Sequence, residues 1–182
     1  MHFAALVSLV TLLFATLGLS RSEEPSQQDF SSLSRGDVTW VLLSQTVNTY
    51  AELVDQKRFD QLDRVFSQDA VAHYSGSYRN LQGLPAICSA LALSYSNMTT
   101  QHLVGSTVHV PNDTHVLAAS AFQVTIWDRN NKVAGQYFGY YFDQFSRRWS
   151  DGGFGGFWTW VIQERRVRFL GPGPTLNGTI GG

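Results

Sequence analysis

Apolar residues recur at helical spacing through the first part of the chain. Val38, Val41, Leu42, Val47, Tyr50, Ala51 and Val54 form one stripe, the signature of an amphipathic helix running to Asp55. Ser34, with Asp37 three residues on, supplies a capping pair ahead of it. Gln56 to Arg58 breaks the period. Phe59, Leu62, Val65 and Phe66 then predict a second, short helix that ends before Asp69. Ala70 to Ser75 reads as a short strand, with Val71 and His73 on one face and Ala72 and Tyr74 on the other. Gly83-Leu84-Pro85 opens a third helix, with proline in the tolerated first turn. Its apolar face is Ile87, Cys88, Leu91 and Tyr95.

From Thr99 onward the period changes from about 3.6 to 2. The first strand of this half reaches Val110. Its alternation places His102, Val104, Ser106, Val108 and Val110 on one face, and Leu103, Gly105, Thr107 and His109 on the other. Pro111-Asn112-Asp113 turns the chain. His115 to Trp127 is a long strand, and Asp128 to Asn131 is a hairpin turn. Gly135 to Phe145 follows, with Tyr137, Tyr141 and Asp143 opposite Phe138, Tyr140 and Phe142. Trp158 to Leu170 is the last strand, on which Arg165, Arg166 and Arg168 read as a solvated or ion-paired edge. Between these two strands, Asp151 to Trp158 is a Gly-rich aromatic hairpin tip. It is not a phosphate loop, because no lysine or helix follows. Helices first and antiparallel strands afterwards predict an α+β fold with helices on one face of a sheet. Strands this long curl, and a curled sheet closed by helices encloses a pocket. Phe122, Trp127, Tyr137 and Tyr141, with Tyr50 from the first helix, are the candidate walls for a substrate.

The ends of the chain carry a different message. Phe3 to Leu19 is almost wholly apolar, with small residues at Gly18 and Ser20. Residues 1–20 read as a secretory signal cut near Ser20 or Ser22. Residues 21–36 form a polar linker, 37–170 the domain and 171–182 a Gly/Pro tail. Three sequons, at Asn97, Asn112 and Asn177, are candidate glycosylation sites on that secretory route. No membrane association is expected once the signal is removed. Cys88 is the single cysteine among 182 residues, so no intrachain disulfide can form, and it reads as a small core residue. A net charge of -1 offers nothing to a polyanion, so nucleic acid is not an expected partner. No two histidines and a carboxylate share ligand spacing, so neither a metal site nor a cofactor is expected.

His102 is the pivotal residue. A histidine sharing a face with three valines is either a paired core residue or a working acid/base. Its surroundings, Thr100-Gln101-His102-Leu103-Val104-Gly105, resemble a strand motif of the SnoaL-like branch of the NTF2-like superfamily. Tyr50-Ala51-Glu52-Leu53-Val54-Asp55, Phe59-Asp60-Gln61-Leu62, and Phe66 with Asp69-Ala70-Val71 resemble that family's opening. Trp160-Val161-Ile162 with Arg165 and Arg166 resembles its closing strand. The resemblance spans roughly Val38 to Leu170. It implies a cone-shaped, curved antiparallel sheet with three N-terminal helices covering an apolar pocket. It also implies a cofactor-independent lyase, isomerase or cyclase, or a non-catalytic binding protein, acting on a small apolar carbonyl compound such as a polyketide or terpenoid. A homodimer formed through the sheet is a further possibility of the family.

Within the family, the pattern of scytalone dehydratase is similar in three places: a helix-end aspartate at Asp55, a strand tyrosine at Tyr74 and the Thr-Gln-His histidine at His102. That enzyme's second catalytic histidine and its asparagine have no counterpart in Thr125-Ile126-Trp127 or Gly139-Tyr140, and the tyrosine beside its aspartate is Val54 here. The three residues present form a coherent set. An aspartate that accepts from one imidazole nitrogen raises the basicity of the other, which can then move a proton next to a carbonyl. A phenol can donate to the oxygen on which enolate charge develops.

Overall fold

The computed structural model describes residues 35–75, 78–111, 115–151 and 156–171. The apolar leader, Asn112, Asn177 and the tip of the Gly-rich hairpin fall outside these residues. Helix α1 (Arg35–Asp55) buries Leu43, Val47, Tyr50, Leu53 and Val54, the stripe its sequence period predicts. A six-residue 3-10 turn, Phe59–Arg64, leads into strand β1 (Phe66–His73) and the short β2 (Leu81–Gln82). Helix α2 (Leu84–Tyr95) starts at Gly83, whose φ of 82° favours glycine. Four long strands complete the chain: β3 (Thr99–Pro111), β4 (Val116–Trp127), β5 (Val133–Ser150) and β6 (Phe157–Phe169).

The six strands form one curved, unclosed sheet in the order β2-β1-β6-β5-β4-β3. The fold class is α+β, as the change of period at Thr99 predicts. Helix α1 crosses the inner face of the sheet. Its Thr46 donates to the Trp160 carbonyl of β6 at 3.0 Å, and its last residue, Asp55, meets β3.

Several expectations need correction. The short helix from Phe59 is of the 3-10 type and ends at Arg64, and Phe66 belongs to β1. The helical layer is therefore two α-helices and a 3-10 helix. The sheet is not wholly antiparallel, since β1 runs parallel to β6. That pairing joins segments far apart in sequence, where local periodicity carries no signal.

Two β-bulges overturn the simple alternation. In β3, Val104 pairs with Phe122 but Thr107 with Ser120, so Gly105 and Ser106 together oppose one residue. The inner face continues as Thr107 and His109, and Val108 and Val110 turn outward. In β6 the register with β5 slips between Ile162 and Glu164. Ile162 and Arg165 thereby both face inward, which strict alternation forbids. Arg165 is fully buried on a strand flanked by β1 and β5; it is ion-paired, as one of the two expectations had it, but it is neither solvated nor at an edge. Arg166 does remain exposed and is paired with Glu164.

Candidate active site

The site begins at the C-terminus of α1. Arg58 N–H donates to the Leu53 carbonyl at 2.8 Å and Lys57 N–H to the Val54 carbonyl at 3.2 Å. These two bonds form a Schellman ending, with Lys57 in the left-handed position at φ 62°. Glycine usually occupies that position; here only the break in period at Gln56 to Arg58 marks the helix end in the sequence. Asp55 is left on the last turn, an unfavourable place for an anion by the helix dipole. Three donors from β3 compensate. His102 Nδ1 lies 2.6 Å from Asp55 Oδ1, the Thr100 hydroxyl donates to the same oxygen at 2.8 Å, and His102 N–H donates to Oδ2 at 2.7 Å. Burial pushes the Asp55 carboxyl up, but the bonds and charge from His102 and the Thr100 bond outweigh it and hold the group below the ordinary carboxylate value. Asp55 is therefore ionised at neutral pH, and the proton of the pair sits on Nδ1.

The imidazole is almost completely shielded: its side chain is 4% exposed, against 21% for Asp55. The rings of Tyr50 and Tyr95 each stand edge-on to it at 6.4 Å. No hydrogen bond among the described residues reaches Nε2. The Tyr50 and Tyr74 hydroxyls lie 3.2 Å apart, with Tyr74 just beyond the end of β1. Burial raises the pKa of both phenols, well above the ordinary value for Tyr74. Both stay neutral, and so remain donors, at any physiological pH.

Beneath the tyrosines lies an ion pair whose partner and burial sequence reasoning missed. Asp143 of β5 and Arg165 of β6 are register partners. Their side chains form a bidentate pair, with Nε to Oδ1 at 2.8 Å and Nη2 to Oδ2 at 2.7 Å. Burial alone would push the guanidinium down, but Asp143 overrides it and holds Arg165 firmly charged. The guanidinium is sandwiched between the faces of Tyr50 at 4.1 Å and Tyr141 at 4.2 Å, the geometry of a cation–π contact. Its remaining nitrogen, Nη1, is buried without a partner. Asp143 shares a face with Tyr141 in the sequence, which was the available clue. Arg165 was hidden by the β6 bulge.

Tyr50, Tyr74, Tyr95, His102, Phe122 and Tyr141 surround a cavity that Val124, Val167 and Phe169 close. Of the candidate walls, Tyr50, Phe122 and Tyr141 do line it. Tyr137 stands one layer out, 6.3 Å from Phe169, and Trp127 sits half-buried at the far end of β4, so neither is a wall. Phe122 lies flat on Tyr141 at 4.2 Å. The close approach depends on Gly139, where a Cβ would collide with the Phe122 ring. The packing leaves about 10 Å³, room for one water and far below the roughly 300 Å³ of an ordinary ligand pocket. The expected open apolar pocket is thus filled by its own aromatic walls.

The other candidates stand apart. Burial pushes the Cys88 thiol up, the wrong direction for a nucleophile. His73 is held at the surface by the Arg79 carbonyl and Glu164. Among the described residues, no three His, Cys, Asp or Glu side chains assemble into a metal-binding group, and no helix is long and apolar enough to cross a membrane.

The sequence profile of the SnoaL-like domain matches residues 43–166, which include Asp55, Tyr74, His102 and Arg165. No curated protein matches the chain by sequence. Solved structures share the fold. A protein of unknown function from Mycobacterium tuberculosis is 19% identical over 72% of this chain and 76% of its own, with a TM-score of 0.59. A protein from Novosphingobium aromaticivorans named after scytalone dehydratase is 17% identical over 73% and 85%, with a TM-score of 0.59. One from Catenulispora acidiphila, solved in complex with S-DNPA, is 16% identical over 72% and 93%, with a TM-score of 0.58. At these identities the structures speak for the fold alone. With the profile covering most of the domain, the chain belongs to the SnoaL-like domain family.

Proposed function

We propose that the protein is a cofactor-independent lyase, isomerase or cyclase that moves protons on a small apolar carbonyl compound of the polyketide or terpenoid kind. One observation carries the proposal: His102 is bonded to an ionised Asp55 at 2.6 Å, and its other ring nitrogen has no protein partner among the described residues while the ring lines the tyrosine cavity. In this scheme His102 Nε2 takes a proton from the carbon next to the carbonyl. Asp55 holds the tautomer and stabilises the imidazolium that forms. The neutral phenols of Tyr50 and Tyr74 donate to the enolate oxygen, and Arg165 behind Tyr50 supplies positive charge where negative charge develops. Tyr50, one turn before Val54, contributes a second phenol in place of the one missing at Val54. Elimination of water additionally needs an acid at the leaving group. Isomerisation and cyclisation need fewer groups.

Substrate entry requires movement of the half-buried Val167 and Phe169, because the resting cavity has room for no more than about one water. That same closure favours a second reading, a non-catalytic protein whose cavity binds a small molecule or none. The complex of the Catenulispora acidiphila protein with S-DNPA supports small-molecule binding within this fold. The two readings separate in one experiment. Apolar ketones and polyketide-type carbonyl compounds are incubated with the protein in deuterated water, and exchange next to the carbonyl is followed by NMR. Catalysis predicts exchange that falls about 10²-fold or more in Asp55→Asn and His102→Ala. The double variant should lose little beyond the worse single one, because the residues act as a unit. Ligand-induced thermal stabilisation without exchange in the native protein would favour binding.

The apolar leader and the exposed sequon at Asn97 support a secretory route for the chain. The exposed apolar outer face of the sheet supports a homodimer.

A further inference from the structure

Asp55 also borders a second, polar cleft of about 500 Å³, whose wall includes Lys57, Asn97 and Thr99 with Asp128 and Arg129 from the β4–β5 turn. Lys57 reaches across this cleft. The left-handed backbone at residue 57, imposed by the Schellman ending, turns its side chain back toward β3. There the ammonium lies 5.9 Å from the Tyr95 ring centre and donates to Thr100 Oγ1 at 2.8 Å. An ammonium can only donate. Thr100 therefore accepts from Lys57, and its single hydroxyl proton is free to point at Asp55 Oδ1, 2.8 Å away. The same oxygen receives His102 Nδ1–H at 2.6 Å. One carboxylate oxygen thus serves two donors, and one of them is oriented by a cation.

We infer that Lys57 is a positioning residue of this site: by locking the Thr100 hydroxyl onto Asp55, it sets how strongly the carboxylate binds the His102 imidazole. The inference rests on the acid–base dyad proposed above. With the lysine in place, Asp55 Oδ1 is partly occupied and its charge partly balanced. Without the lysine, Thr100 is free to rotate away, and Asp55 turns its full acceptor strength on Nδ1–H. The burial that depresses the ammonium below its ordinary lysine value, partly offset by Asp55, is consistent with an amine held inside the site instead of one extended into water.

The test needs no substrate. The His102 Nδ1–H proton is observed by low-temperature NMR of the whole protein and assigned by its loss in His102→Ala. Lys57→Gly is the informative variant, because a φ of 62° suits glycine and the fold is kept while the amine is removed. Its resonance should move downfield as the hydrogen bond to Asp55 strengthens. Thr100→Val should produce the same shift, and adding Lys57→Gly to it should change little, because the lysine acts through the hydroxyl. Lys57→Arg should return the resonance toward its native position. Lys57→Met gives the same measurement if the glycine variant does not fold. A resonance unmoved by loss of the amine, or an equal further shift in the double variant, overturns the role of Lys57 and leaves the dyad standing. A native protein without a protected His102 resonance overturns both.

Discussion

Asp55 combines two opposed demands at a single residue. The end of α1 is electrostatically the wrong place for an anion, and partial burial makes it worse. Donors from His102 and Thr100 reverse the balance, so the folded carboxyl titrates below the unfolded one. The consequence for stability has a definite sign. A carboxyl with a depressed folded value contributes stability above its unfolded value, about 3.9, and loses that contribution as pH falls through the folded value. Asp55→Asn should therefore show a shallower loss of stability below about pH 4 than the native protein, measured by urea unfolding across the acid range. An identical acid profile would mean that Asp55 is not the ionised partner the geometry describes. Lys57 adds a lesson at the same scale. A lysine in a left-handed position costs about 1 kcal/mol, and here the strained backbone is what aims the amine.

At the scale of elements, the β5–β6 pair holds the decisive arrangement. Register sets Asp143 opposite Arg165, and the bulge at Gln163 turns Arg165 inward. A buried pair of this kind is seldom a net source of stability, yet breaking it leaves one charge stranded. Arg165→Met should destabilise the fold by about 3–5 kcal/mol. Pairing it with Asp143→Leu should recover most of that loss, and guanidinium unfolding of the single and double variants measures both. If the protein catalyses proton transfer, the double variant should be folded but slow, because the positive charge behind Tyr50 is gone. Stable and fully active double variants would reduce the pair to a packing feature.

At the scale of the whole molecule, the outer face of the sheet stands out. Val108, Ala119, Phe142 and Arg166 form one row across four strands, and Val110, Leu117, Gln144 and Glu164 the next. Val108 is 67% exposed, Val110 61% and Phe142 41%, and between the rows runs a groove of about 420 Å³. The apolar ends of these rows lie beside a neighbouring Arg and Glu. In a two-fold pairing of the face with its own copy, the apolar halves can meet while each Arg166 finds a Glu164. Phe142→Arg should shift the protein toward monomer in sedimentation equilibrium with its fold unchanged. A native protein that is monomeric at micromolar concentration would dismiss the dimer.

The amino-acid sequence by itself determined what short-range periodicity can encode. It located α1, α2 and the four long strands, the change of class at Thr99, the face of β5 that Tyr141 and Asp143 share, and the resemblance that named the family. It also singled out Asp55, Tyr74 and His102, which lie far apart in the chain and come to one place in the fold. Tertiary structure decided the rest, for identifiable reasons. The parallel β1–β6 pair and the register slips at Gly105–Ser106 and Gln163 come from packing between distant segments, and a one-residue slip exchanges the faces of everything beyond it. That is why Val108 and Val110 lie outside, and why Arg165 lies under the tyrosines and not at an edge. Whether aromatic walls enclose a pocket or fill it depends on side-chain volumes meeting across the sheet, which no alternation reports. The orientation of the Thr100 hydroxyl follows from a lysine whose position is fixed only once the helix has ended.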